Sequence, residues 1–398
     1  MAESDSAEIH LVPDRRVKTP VGYGMFPLNP RSLALAVAWI CTTLTALGMN
    51  DSLIYIGTYT RTTSQGIYAL RLDPATGELS PPELVATTAN PSFIALSPDK
   101  AHLYAVCESG TLAVPFAVNL DTGKLVPDHV QTSGGKAPCY LMVDPTGQCL
   151  VVAHYHDATV AALPILADGA LGAPRSVIHH QGHSVHPTRQ DAPHVHSTNI
   201  SPDGRHVIVC DLGLDRVFTY KLDAANATLT PAAIPHVATA PGAGPRHSAF
   251  SPDGKLLFVV NELNSTLVSY RYATDTGSLT PIDTQSTLPA DFTGENTCAE
   301  VRVHPNGRFV YASNRGHDSI AVFALAAETG RLTPVETMPS DGRNPRNFAL
   351  SPDGTWLIAA NQNSNTLNVF KVDADTGRLT PTDHQASVPL PVCVVFAR

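Results

Sequence analysis

Four segments carry ionisable side chains just ahead of an apolar run: His194-Val195-His196 in DAPHVHSTNISPDG, Arg246-His247 in GAGPRHSAFSPDG, Glu300-Val301-Arg302 in CAEVRVHPNG, and Arg346-Asn347 in RNPRNFALSPDG. The equivalent places in two sister segments hold only Pro91-Ser92 and Pro138-Cys139. The apolar runs that follow end in Asp211, Asn261-Glu262, Asn314-Arg315 and Asn361-Gln362. Each such residue taken alone reads as solvated or hydrogen-bonded scaffold. Together they read differently, because buried charge is costly unless paired and such clusters collect at functional sites. Arginine forks match phosphate and carboxylate oxygens, so the expected chemistry is that of a pocket for a small anion.

These segments recur because the chain repeats. A turn tetrapeptide lies between two apolar runs at Ser97, Asp144, Ser201, Ser251, His304 and Ser351, as SPDK, DPTG, SPDG, SPDG, HPNG and SPDG, with spacings of 47, 57, 50, 53 and 47 residues. Proline presets φ, Asp or Asn caps the turn, and Gly accepts positive φ, so each copy predicts a hairpin. A second motif of the DxTGxL type ends at Leu79, Leu125, Leu171, Leu229, Leu279, Leu332 and Leu379, seven copies against six. A period near fifty residues with four alternating strands per unit predicts an all-β chain, a seven-bladed β-propeller. The missing inner strand is supplied by PLPVCVVFAR at the C-terminus, which is expected to pair with SLIYIGTYT and close the ring through the N- and C-terminal strands. Closure removes exposed strand edges. In such a ring four consecutive blades bring His, Arg, Glu and Arg to one level of the channel.

Composition excludes other classes. A net charge of −9 without a Lys/Arg cluster argues against a nucleic-acid partner. The seven cysteines show no CxxC spacing and read as buried small hydrophobes, neither a disulfide framework nor a zinc site. The segment SVIHHQGHSVHPTRQDAPHVHS is rich in histidine but lacks metal-ligand spacing, so it predicts a loop folded over the channel mouth, with no metal and no cofactor. No GxSxG, GxGxxG or Walker A pattern is present.

Residues 1–48 form an N-terminal extension, and 49–398 the single propeller domain. The stretch SLALAVAWICTTLTALG is too short and Thr-rich for a stable membrane span. It reads equally as a signal or anchor segment and as a dispensable extension before a start at Met49. The expected location is cytoplasmic, with export to the periplasm the alternative if residues 25–48 act as a signal. The expected assembly is a monomer or weak homo-oligomer.

The combination of YIGTYT, NPSFIALSPD, GHSVHPTRQDAPHVHS, GPRHSAFSPDGK, VNELNSTLVSY, AEVRVHPNGRFVYASNRG and DGRNPRNFALSPDG resembles the seven-bladed lactonase family. That family includes propeller-type 6-phosphogluconolactonases and carboxy-muconate lactonizing enzymes. The resemblance covers about residues 52–398. It implies a lactone site at one channel mouth, built from His, Arg and Glu side chains without a required metal. Carried onto this chain, the histidine is His194 or His196, and the other positions are Arg246, Glu262 and Arg315. Glu300 and Arg302 lie in the matching AEVR segment. The chain departs from the family at HYHD, with His154 and His156 where relatives often carry an Asn-Tyr pair.

The resemblance implies hydrolysis of a sugar lactone, with 6-phospho-D-glucono-1,5-lactone the expected substrate. Glu262 or His196 would be the general base, Arg246 and Arg315 would stabilise the oxyanion, and Arg302 or Arg346 would hold the phosphate, with His194 and Glu300 also contacting substrate. Two rivals stand beside this reading. One is a lactonase or lactonizing enzyme acting on a non-phosphorylated carboxylate lactone such as a muconolactone. The other is a propeller that only binds ligands or proteins.

Overall fold

The computed structural model describes residues 51–397; the extension on which the signal reading rests lies outside the described residues. Seven antiparallel sheets, each with four strands in radial order, account for the described chain; the second blade adds a two-residue fifth strand, Gln131–Thr132. From the first blade to the seventh, the innermost strands are Pro391–Phe396, Ile94–Leu96, Pro138–Val143, Val195–Ile200, Pro245–Phe250, Thr297–Val303 and Pro345–Leu350. Closure follows the expectation: Ser52–Thr58 pairs with Pro391–Phe396, with Ile54 opposite Phe396 and Ile56 opposite Val394.

The repeated turn works as its residues dictate. Ser201 Oγ donates to Asp203 Oδ1 at 2.6 Å and accepts from the His206 amide at 3.0 Å, and the Ser251, Ser351 and Ser97 copies do the same. Gly204 takes φ +72° and Lys100 takes the same left-handed position at φ +60° where glycine is missing. The leucine of the second motif is buried in blades two to seven, as at Leu379 and Leu229, and so anchors the outer strand. Adjacent blades are tied by buried tyrosines, with Tyr104 donating to Gly169 O and Tyr311 to Gly377 O, each at 2.9 Å.

The inner strands contain a feature that alternation does not reveal. In six blades the pairing skips at a common level near the strand start. Opposite the second strand, Val195 pairs with Asp211 and Ser197 with Cys210, so His196 is extra. Arg246, Arg346, Cys139 and Val392 are skipped in the same way, and Ala299 with Glu300 in the sixth blade. A β-bulge breaks the two-residue period and re-aims a side chain. Here it turns consecutive residues toward the channel.

Candidate active site

At the mouth formed by the start of the inner strands lies a cavity of about 300 Å³, lined by Glu108, Tyr155, Arg189, His196, Glu262 and Arg315, together with Cys139, His156, Thr297 and Arg346. Beneath it is a throat of about 10 Å³ between His196, Arg246, His247 and Arg346, about the size of one water. A groove of about 620 Å³ adjoins the cavity and shares Arg189, Thr297 and Arg315 with it. Among the described residues no group of three or more His, Cys, Asp or Glu side chains is placed to hold a metal ion.

Glu262, 3% exposed, follows the second strand of the fifth blade. Its Oε2 accepts from Arg246 Nε at 2.8 Å and lies 2.8 Å from Arg315 Nη2, while Oε1 accepts from Arg189 Nη2. Burial alone would raise this carboxyl. Arg315 and Arg246, joined by Arg189, instead hold it well below its ordinary 4.5. A carboxylate bound by three guanidiniums is a weak base, and its role in the geometry is to aim them.

His196 has the opposite character. It is 5% exposed, lines both the cavity and the throat, and Nδ1 is enclosed without a hydrogen-bond partner. Burial, then the neighbouring Arg246, holds the imidazole well below its ordinary 6.5, so it is neutral at physiological pH. Its Nε2 is the ring nitrogen left toward the cavity.

Arg246 is 2% exposed and donates from Nη1 to Ala299 O at 2.6 Å and to His247 Nε2 at 3.0 Å. That fixes the His247 tautomer: Nδ1 carries the proton and faces Glu300 Oε2 at 3.2 Å. Glu300 is fully enclosed and also accepts from Asn347 Nδ2 at 2.5 Å. Burial would raise Glu300, but Arg302 and then His247 bring it down to about 2; burial and Arg246 push His247 down to about 4. Among the described residues Arg346 has no hydrogen-bond acceptor or ion-pair partner, and its guanidinium carbon lies 5.4 Å from the Tyr59 ring centroid. Tyr59 in turn donates to Glu108 at 2.9 Å. Four guanidiniums (Arg189, Arg246, Arg315, Arg346) against two carboxylates (Glu108, Glu262) leave two positive charges in excess around cavity and throat.

The structure thus brings His196, Arg246, Glu262, Arg315 and Arg346 together, and separates the other three expected residues from them. His194 is turned aside: its ring stacks on Tyr155 at 4.3 Å and Nδ1 bonds Tyr155 O at 3.0 Å, so it supports a cavity wall without lining it. Glu300 lies below the mouth, under His247. Arg302, two residues further along the inner strand, lines a different pocket at the opposite end of the channel. The expectation of one common level therefore fails for the sixth blade, because its bulge is spent on Ala299 and Glu300 and the next inward residue is one pleat deeper.

The histidine-rich segment does fold over the mouth. Asp211 accepts from His180 Nδ1 at 2.7 Å and from the His194 amide at 2.9 Å, and Gln190 Nε2 donates to Asp215 Oδ1 at 2.7 Å. So anchored, the loop delivers Arg189, which the sequence reading missed; a lone arginine in a loop carries no signal of its target. Asp211, Asn261, Asn314 and Asn361, which stand at the ends of the second strands and which the sequence groups with the charged cluster, bond the loops and turns around the mouth. His154 is likewise structural, bonding Thr159 O and Ser133 Oγ, while His156 lines the cavity. The six described cysteines are free and buried.

A seven-bladed ring with an arginine-rich, carboxylate-ordered mouth is the architecture of a propeller lactonase. Residues 53–396 match the family model described as Lactonase, 7-bladed beta-propeller, and the chain belongs to that family. It is 38% identical over 345 residues to the 6-phosphogluconolactonase of Bacillus subtilis, covering 86% of this chain and 97% of that protein. It is 30% identical over 306 residues to the 6-phosphogluconolactonase of Formosa agariphila, covering 75% and 86%. Among solved structures, the periplasmic gluconolactonase of Pseudomonas aeruginosa superposes with a TM-score of 0.83 at 34% identity, covering 87% of this chain and 99% of that one. Family membership makes the protein a lactonase. Among the described residues no helix is long and apolar enough to cross a membrane.

Proposed function

We propose that the protein hydrolyses 6-phospho-D-glucono-1,5-lactone to 6-phosphogluconate, with His196 as the general base. The observation that carries this reading is the meeting, in one cavity, of a neutral imidazole and an Arg346 guanidinium that have, at Nδ1 and at the guanidinium, no hydrogen-bond partner among the described residues. The phosphate is held by Arg346, and the ring hydroxyls meet Glu108. The carbonyl oxygen faces Arg246 and Arg315, whose positions Glu262 maintains.

A water in the throat attacks the lactone carbonyl carbon while His196 Nε2 takes its proton. Negative charge moves onto the former carbonyl oxygen, where fixed guanidiniums stabilise it more than they stabilise the ground state. The ring C–O bond then breaks, the carbonyl re-forms, and the proton on His196 passes to the departing ring oxygen, which becomes a hydroxyl. Water, lactone and product balance, and the imidazole ends neutral. Replacing Glu262 by His196 as base narrows the sequence reading: a carboxylate already bound by three guanidiniums has little affinity left for a proton.

A second reading keeps this chemistry on unphosphorylated glucono-1,5-lactone. It is favoured by the likeness to the Pseudomonas protein, whose name specifies a periplasmic gluconolactonase. Rates on the two lactones, corrected for spontaneous hydrolysis, separate the readings. A kcat/KM at least about tenfold higher for the phosphorylated lactone supports the first, since a charge-assisted contact contributes about 1.5–3 kcal/mol; equal values support the second.

A further inference from the structure

The end of the channel opposite the lactone cavity has a pocket of its own, of about 380 Å³, lined by Phe93, Leu96, Tyr140, Met142 and Phe396 with Arg302 and Lys100. No carboxylate lines it. The Arg302 side chain is 31% exposed, and its one ion pair is a long 3.5 Å contact to Glu300 Oε2. The guanidinium also lies beside the Tyr140 hydroxyl, which leaves donors on its outer edge. Lys100 is exposed at the rim, and among the described residues its ammonium forms no ion pair. Asp99, next to it, accepts at Oδ1 from Ser97 Oγ at 2.5 Å and from the Ala101 amide at 3.0 Å and does not line the pocket. Phe93 and Tyr140 stack at 3.9 Å and, with the enclosed His247 and Glu300, stand between this pocket and the throat, which Phe93 also lines.

Two cations on an aromatic and aliphatic wall define what fits. A polyol is excluded, because its hydroxyls would be stranded against Phe93, Met142 and Phe396. A neutral apolar molecule leaves the guanidinium donors that do not face Glu300 without an acceptor. We infer that this mouth is a second binding site, for a small monocarboxylate with an apolar or aromatic body, its carboxylate on Arg302 and Lys100 and its body against Tyr140, Met142 and Phe396. Apolar walls with a few placed polar groups are the common form of small-molecule sites.

The test is isothermal titration of the full chain with benzoate, against benzyl alcohol as the uncharged match and gluconate as the polar anion. Benzoate saturates one site, and the other two bind at least about tenfold more weakly. Lys100→Glu reverses the rim charge without touching a buried contact, and Ala95, on the innermost strand Ile94–Leu96, also lines the pocket, so Ala95→Phe fills it. Each weakens benzoate at least about tenfold while the protein still melts in one cooperative transition and the lactonase kcat/KM stays within about twofold of the parent. Two results overturn the proposal: no saturable benzoate binding, or binding that both variants retain. Competitive inhibition of lactone hydrolysis by benzoate, abolished by Arg346→Met, also overturns it by assigning the anion to the upper cavity.

Discussion

Arg246 and His247 are neighbours in sequence, yet Arg246 Nη1 lies 3.0 Å from His247 Nε2 on the same side of the strand. A regular strand sends consecutive side chains to opposite faces. The skipped pairing at Arg246 allows the contact. It links a buried row that runs from Arg302 and Glu300 through His247 and Arg246 to Glu262. Arg246 therefore has few rotamers open to it. Arg246→Ala is expected to lower kcat by about 10²- to 10³-fold with a smaller change in KM, as for loss of one oxyanion donor, measured by steady-state kinetics.

His196→Ala removes the proposed base and is expected to lower kcat by about 10²-fold or more. The pH profile of kcat/KM distinguishes it from Glu262. With His196 held well below 6.5 by burial and Arg246, activity persists on the acid side of 6.5 before falling. Glu262→Gln lowers kcat and moves that acid limb to lower pH without abolishing it, because the ionised carboxylate raises the His196 imidazole and its loss leaves Arg246 less opposed. If instead Glu262→Gln abolishes the acid limb and His196→Ala retains it, the assignment of the base is reversed.

Arg346 lines the cavity without an acceptor among the described residues, so its loss should be felt through the substrate. Arg346→Met is expected to reduce kcat/KM on the phosphorylated lactone about tenfold to a hundredfold and on plain gluconolactone only about twofold. An equal loss on both substrates places the phosphate elsewhere.

Acid stability follows from the enclosed pair beneath the mouth. Glu300, ordinarily 4.5, is down to about 2 in the fold, and His247, ordinarily 6.5, is down to about 4. In both windows the unfolded chain binds more protons than the native one, so stability falls as pH drops from 6.5 to 4 for His247 and from 4.5 to about 2 for Glu300. Glu300→Gln is expected to lower the melting temperature at pH 7 and to flatten its decline below pH 4.5. Thermal melts of both proteins across pH 7 to 3 measure the difference; parallel curves would remove Glu300 from the account.

Ring closure rests on one pairing between Ser52–Thr58 and Pro391–Phe396. Truncation after Leu390 leaves the Ser52–Thr58 strand as an open apolar edge, its residues Leu53 to Ile56 all buried in the intact ring. The shortened chain is expected to aggregate or to melt without a single cooperative transition, seen by light scattering and circular dichroism. A soluble monomer with an unchanged melting temperature would show that closure contributes little.

Much of this protein was legible in its residues. Seven Leu-ended turns against six proline turns implied a blade shared between the two ends, and the ring closes that way, because turn chemistry and alternation are local properties that each repeat states for itself. Departures from the repeat likewise pointed to His196, Arg246, Glu262, Arg315 and Arg346. What the tertiary structure decided was their height and direction in the channel. Bulges shift side chains by one residue without a mark in the apolar pattern, so His194, Glu300 and Arg302 looked equivalent to residues they do not accompany. Arg189 reaches Glu262 from a loop 73 residues away in sequence, and only the fold brings them together. The charge states of Glu262 and His196, one held ionised by three guanidiniums and the other neutral by burial, depend on distances between blades, which no single segment of the chain encodes.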